Sequence, residues 1–255
     1  MNHSTFLRTP TFTRLGLSIV ATAILGLANL APAYALPMLT NGDFEAGFSS
    51  WTRVDQLGSE GTFELQTGTS SPVNGDPVPA PPEGTTAAMT DAQGPGSHVL
   101  YQDFVATNDP ASLSFELFIG NRAIDFFAPM TLDFSTPALN QQARVDIITT
   151  TADPFSVDPA DVLLNLYQTQ AGDPLISGYN TVTTDLTAFL ATHNGETLRL
   201  RFAETDNVFT FQMGVDDVRF VSPTQVPEPQ STLLIVAALA AMAASLRMPA
   251  RRKHS

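Results

Sequence analysis

SLSFELFI, residues 112–119, sets an apolar side chain at every second position: Leu113, Phe115, Leu117 and Ile119. A period of two is the pleat of a β-strand with one face buried. The stretch 197–203 repeats the device with Leu198, Leu200 and Phe202, and turns Arg199 and Arg201 to the opposite, outward side. The same pattern, broken by turn residues, predicts further strands at 62–67, 99–106, 130–134, 144–150, 162–169, 209–213 and 215–221. One short helix is expected over 185–191, capped by Asp185 and closed by Asn194-Gly195. Many short antiparallel strands with almost no helix predict an all-β fold, an antiparallel jelly-roll β-sandwich.

Composition sets the limits of that domain. Residues 68–86, rich in Gly, Ser and Pro, are expected to form a long exposed loop, and 222–225 a linker. The sandwich therefore occupies 36–222, long enough for one core. No cysteine is present, which removes disulfides, thiol nucleophiles and thiolate metal sites. Six of the twelve basic residues lie near the two termini. The other six, all arginines, face all 25 acids, so the domain and its stem carry about −19. A surface this acidic repels phosphate backbones, which excludes nucleic acid as a partner, and it attracts divalent cations.

The termini carry an address. Arg8 and Arg14 precede the apolar run 15–31, and Ala33-Tyr34-Ala35 offers small residues for cleavage, so 1–35 reads as a signal peptide. Gly16, Gly26 and Asn29 interrupt the run, which favours removal over a retained anchor. From 226 the chain reads VPEPQSTLLIVAALAAMAASLRMPARRKHS. An apolar helix is expected over 231–246. Its unbroken part, 233–246, would span about 21 Å at ~1.5 Å per residue. That is short of a bilayer core of about 30 Å, and the basic tail 247–255 would hold its end in the cytoplasm.

This tail resembles the PEP-CTERM sorting signal of Gram-negative bacteria. Pro227, Glu228 and Pro229 match its motif, the apolar helix follows, and Arg251, Arg252 and Lys253 close it. The resemblance implies processing by an exosortase, a membrane-embedded transpeptidase, after transient insertion in the inner membrane. The expected destination is the cell surface, the outer envelope or an extracellular matrix.

A second resemblance spans the domain. Asn41-Gly42-Asp43-Phe44-Glu45, with Gly47-Phe48-Ser49-Ser50-Trp51, is similar to the first strand of carbohydrate-binding modules with a galactose-binding-like fold. LRLRF at 198–202 and MGVDDV at 213–218 are similar to its last two strands. In such modules, carboxylates of the first and last strands share a structural calcium. Carried over, Glu45 and Asp217 lead, with Asp43 and Asp216 next, and hard oxygen ligands of this kind suit calcium. Asp43 equally reads as a turn residue and Asp216 as solvent-facing.

The resemblance implies an exopolysaccharide or another glycan as partner, without locating the ligand-binding residues. Stacking on a sugar needs flat aromatic rings, and Trp51, Tyr101, Phe118, Tyr167 and Tyr179 are available, with core packing the default for those in strands. No HExxH or GxSxG motif occurs, and His98 and His193, far apart in turn-like surroundings, read as surface residues. The expected function is a non-catalytic surface or matrix protein with a glycan-binding domain. A purely adhesive matrix protein and a small secreted polysaccharide-active enzyme are the alternatives.

Overall fold

The computed structural model describes residues 37–222. The signal segment, the linker beyond 222 and the sorting region, including Pro227, Glu228 and Pro229, lie outside the described residues. Ten strands follow in chain order: β1 (Thr52–Asp55), β2 (Thr62–Thr67), β3 (Thr86–Asp91), β4 (Gly96–Val105) and β5 (Ser112–Asn121) come first. Then come β6 (Gln141–Thr149), β7 (Val162–Gln168), β8 (Asn180–Asp185), the short helix α1 (Thr187–Thr192), β9 (Thr197–Asp206) and β10 (Phe211–Val221). Among the described residues no helix is long and apolar enough to cross a membrane.

The strands form two five-stranded antiparallel sheets, ordered β1-β4-β9-β6-β7 and β2-β3-β10-β5-β8. From β4 to β5, β5 to β6, and at each step from β7 to β10 the chain changes sheet. It thereby wraps the core in jelly-roll fashion. The alternation in β5 and β9 does what the sequence predicts. Leu113, Phe115 and Leu117 from one sheet meet Leu198, Leu200 and Phe202 from the other, all at most 3% exposed. Phe202 stacks edge-on against Phe115 at 5.3 Å and tilts against Trp51 at 6.0 Å. Each such fully buried side chain stabilises the fold by roughly 1.5–3 kcal/mol.

Several expectations are corrected. Residues 130–134 form no strand. Leu132 is buried on the outer face of the first sheet, and its carbonyl accepts from the hydroxyls of Ser97 and Thr205 rather than joining a ladder. The 209–213 and 215–221 segments are one strand, continuous through Gly214. β1, β3 and β8 are additional. The loop 68–85 is largely exposed, as expected, but is tied down: Asn74 bonds Asp91 and Ala92 O, and the Val73 and Asn74 amides cap Asp91 Oδ2 at 2.7 and 2.8 Å. Val78 of this loop packs with Met89, Phe118 and Tyr179, so it covers the outer face of the second sheet.

Arg199 and Arg201 do point away from the core, yet both are buried, at 9% and 0% exposure. The segment 150–161 lies over Arg201. Arg201 donates from Nη1 to Pro154 O and Ser156 O, both at 2.7 Å. Phe155 and Val157 of that segment pack on Val99, Leu132 and Ala203.

Candidate functional site

The turn 41–51 and the bulge of β10 form the first place where the sequence-predicted residues meet. Asn41 organises the turn: its Nδ2 donates to Gly47 O and Ser49 O, and its Oδ1 accepts from Ala46 N. Trp51 Nε1 donates to Asn41 O at 2.9 Å, and the ring packs on buried Phe44 at 5.3 Å. Gly42 is required for close approach, because a Cβ there would meet Val218 O at 1.9 Å. Val218 N in turn donates to Gly42 O at 3.0 Å. Opposite, the β5–β10 register shifts between Asp216 and Arg219, and Asp217 takes a positive φ of 50°. This bulge turns consecutive acids to different sides.

Asp216 is fully buried, contrary to a solvent-facing role. Its carboxylate accepts from Glu83 N at 3.1 Å and Asp217 N at 2.8 Å. Burial, then the charges of Glu83, Asp43 and Glu45, push it up to about 7. Glu45 accepts from both Thr85 N and Thr86 N at 2.7 Å, with the Thr85 hydroxyl at 2.9 Å, and these bonds hold it below its ordinary range. Asp43 caps Glu45 N. Asp217 leaves the group and pairs with Arg219. The fold thus brings Asp43, Glu45 and Asp216 together and adds Glu83, which no strand motif marks. The concentration of charge suits a cation, although among the described residues no three acidic or histidine side chains form a ready metal-holding group.

The second place is an open cleft of about 500 Å³ at the β1–β4–β9 side of the first sheet, lined by Met38, Thr40, Thr52, Tyr101, Asp103 and Arg199, among others. Register explains the grouping. Tyr101 lies opposite Thr52 on β1, and Asp103 opposite Arg199 on β9. Arg199 forms a fork on Asp103, at 2.7 and 3.0 Å, and its guanidinium lies 3.9 Å over the Tyr101 ring. The Asp103 bond, more than any other influence, raises Arg199's proton affinity. The volume falls within the roughly 300–1,000 Å³ of small-ligand clefts. The cleft offers hydroxyl, guanidinium and carboxylate edges beside an aromatic ring, the set that hydrogen-bonds vicinal hydroxyls.

Of the other rings, Trp51 and Phe118 are buried, and Tyr179 donates its hydroxyl to Gln66 Oε1 at 2.7 Å. Tyr167 is half-buried against the core. His98 corrects the surface reading: it is 1% exposed, with Nδ1 bonded to Asp55 at 2.8 Å. His193 stays partly exposed beside Glu196 at 2.9 Å. Glu204 and Asp206 are a buried acid pair on β9. Glu204 is 1% exposed and so does not reach a substrate.

An all-β sandwich of two antiparallel sheets, with an open polar cleft on one of them, is the class that fold and site define. No known protein-family profile matches the chain, and no curated protein matches it. Solved structures do. One is the K3 cleaved adhesin domain of Lys-gingipain from Porphyromonas gingivalis, at 15% identity and TM-score 0.43, covering 71% of this chain and 96% of that one. Another is TmCBM61 in complex with β-1,4-galactotriose, at 10% and 0.38, covering 74% and 100%. A third is CBM27-1 from Caldicellulosiruptor saccharolyticus in complex with mannohexaose, at 14% and 0.36, covering 76% and 100%. At these identities and scores the similarities assign no ligand to this chain.

Proposed function

We propose that the 36–222 domain is a non-catalytic glycan-binding module of galactose-binding-like type, exported by the 1–35 signal and sorted through the tail at 227–229. The observation that carries the binding half is the Tyr101–Arg199–Asp103 cleft, where a guanidinium fixed by two bonds is stacked on an aromatic ring at an open surface. With Nε and Nη2 fixed on Asp103, the guanidinium's remaining N–H groups are pre-oriented and lose little entropy on engaging sugar hydroxyls. Binding of the mature protein to a glycan array tests it. Arg199→Lys, which keeps the charge and removes the fork, should weaken binding by about tenfold, within the range of charge-assisted hydrogen bonds. Absence of any glycan ligand, or binding indifferent to both Arg199→Lys and Tyr101→Ala, defeats the proposal.

The delivery half rests on the terminal motifs. Intact-mass measurement of the exported protein should find no species ending at Ser255, and Glu228→Ala should retain the tail. The same reading places a structural calcium at Asp216, with Asp43 and Glu45 as further oxygen donors and Asp217 committed to Arg219. The support is the buried charge of Asp216, which a divalent cation would offset.

A further inference from the structure

β9 ends beside a second, smaller cavity at the far end of the β4–β9 pair. Gln93, Pro95, Asp206, Val208, Phe209 and Thr210 are among the residues enclosing about 170 Å³. A cavity of about 150 Å³ admits one benzene ring, so this half-open space has room to seat one six-membered ring. Phe209 is 62% exposed at this site. A bare aromatic face is a platform for ring C–H groups and for cations.

The charged group in the cavity's polar lining is an acid, beside the neutral Gln93, Asn207 and Thr210. Asp206 stands in the wall, with one carboxylate oxygen accepting from Gly96 N at 2.9 Å. The Glu60 carboxylate lies against Gly94, another wall residue, where an added Cβ would meet it at 2.5 Å. Two residues back along β9, and therefore on the same face, Glu204 is buried with Oε1 lacking any hydrogen-bond partner. Among the described residues no arginine or lysine lines the cavity. His98, opposite Glu204 across the β4–β9 ladder, has its Nδ1 engaged with Asp55. Burial pushes both acids up, Asp206 to about 7, and the charge of Asp206 adds to the effect on Glu204. A neutral ligand would leave this crowding as it is, whereas a positively charged one offsets it.

We infer that this cavity binds a primary ammonium group carried on a single six-membered ring, the chemistry of a de-N-acetylated amino sugar. The ring lies on Phe209 and the ammonium turns to Asp206, with Glu60 supplying further negative potential. The site lies about 20 Å from the Tyr101 cleft, given roughly 3.3 Å per strand residue, and does not depend on it.

Calorimetric titration of the mature protein with glucosamine, cyclohexylammonium and N-acetylglucosamine at neutral pH is the test. Both ammonium probes should bind, and N-acetylglucosamine about tenfold or more weaker, as expected for loss of a charge-assisted bond. Phe209→Ala, at an exposed position, should weaken both by several-fold while leaving the thermal midpoint unchanged. Asp206→Asn should remove the preference for charge. The inference is overturned if no ammonium probe binds, if neutral and charged probes bind alike, or if Phe209→Ala changes nothing. Glycan binding at the cleft, read through Arg199→Lys, responds independently, so failure of one site is distinguishable from failure of the other.

Discussion

Asp146→Ala should be among the most damaging single substitutions in the domain. Asp146 is fully buried on β6 and accepts from Arg144 Nε and Nη2 at 2.7 and 2.8 Å, from Arg201 Nη2 at 2.5 Å and from Asn165 Nδ2 at 2.8 Å. It is the one carboxylate between two guanidiniums that are 5% and 0% exposed. Removing it takes away the ion-pair partner of both guanidiniums and leaves Arg201 only the more remote charge of Asp153, a loss of about 3–5 kcal/mol for a broken buried ion pair. Against a typical stability of ~5–15 kcal/mol that is a large fraction. At about 2–4 °C per kcal/mol for a domain of this size, the thermal midpoint should fall by roughly 6–20 °C.

Urea unfolding of wild type and variant gives the difference directly. The pH dependence supplies a signature. Burial opposes ionisation of Asp146, but the arginine bonds and charges outweigh it and hold the carboxyl below its ordinary value. A depressed folded-state pKa contributes stability above the unfolded value of about 3.9 and loses it as pH falls through the folded one. The gap between variant and wild type should therefore be full at pH 7 and shrink below about pH 4. Replacing Arg144, Asp146 and Arg201 together by Leu, Leu and Met should recover much of the loss. A gap under about 1 kcal/mol at pH 7, or one that does not change on acidification, refutes the reasoning.

Phe202→Ala removes a ring wedged between Phe115 and Trp51 and should cost about 3–5 kcal/mol in urea melts, with far-UV dichroism retained. Gly42→Ala puts a methyl into Val218 O and should separate the 41–44 turn from β10, seen as lowered midpoint and faster proteolysis near residue 44. Asp216, with its folded-state value raised to about 7, contributes stability at low pH that is lost as pH rises from about 4 through 7. Millimolar calcium should cancel that loss, and Asp216→Asn should abolish both the slope and the calcium effect in melts at pH 5 and 7.5.

What the sequence discloses follows from how the layers are stacked. β5 and β9 are legible because their apolar faces meet each other across the core. β8, NTVTTD, holds its place by pairing with β5 at an edge, so it needs little hydrophobic signal. β3, TAAMTD, is central in its sheet but packs with Ala87, Ala88 and Met89, whose small side chains give a weak period. Gly214 looks like a break between strands. It sits mid-strand because the Tyr179 hydroxyl lies 2.5 Å from where its Cβ would be. The turn motif at 41–51 discloses Asp43 and Glu45, whereas Glu83 arrives from a loop whose course only tertiary contacts fix.

The outward-facing arginines show where period-two reasoning stops and where ligand can enter. Alternation correctly gives Arg199 and Arg201 the face away from the core, but it does not say what covers that face. Around Leu132 and at 150–161 the chain lays irregular segments over the first sheet, so Arg201 becomes an interior residue satisfied by Pro154 O, Ser156 O and Asp146. Arg199, two residues earlier, lies in the wall of the open Tyr101 cleft. At the other end of the same strand pair, past Asp206, the small cavity beside Phe209 opens. The overlay therefore seals the centre of the outward face at Arg201 and leaves Arg199 in an open cleft on that face, while Asp206, of the same parity as Leu198 and Phe202, lies at the strand's end on the core-facing side. The open cleft presents Arg199 and Asp103 beside Tyr101, and the small cavity presents Asp206 beside Phe209. If the sealed centre were itself the binding face, Asp146→Ala would alter ligand affinity at both ends. An effect confined to stability excludes the sealed centre as a binding face.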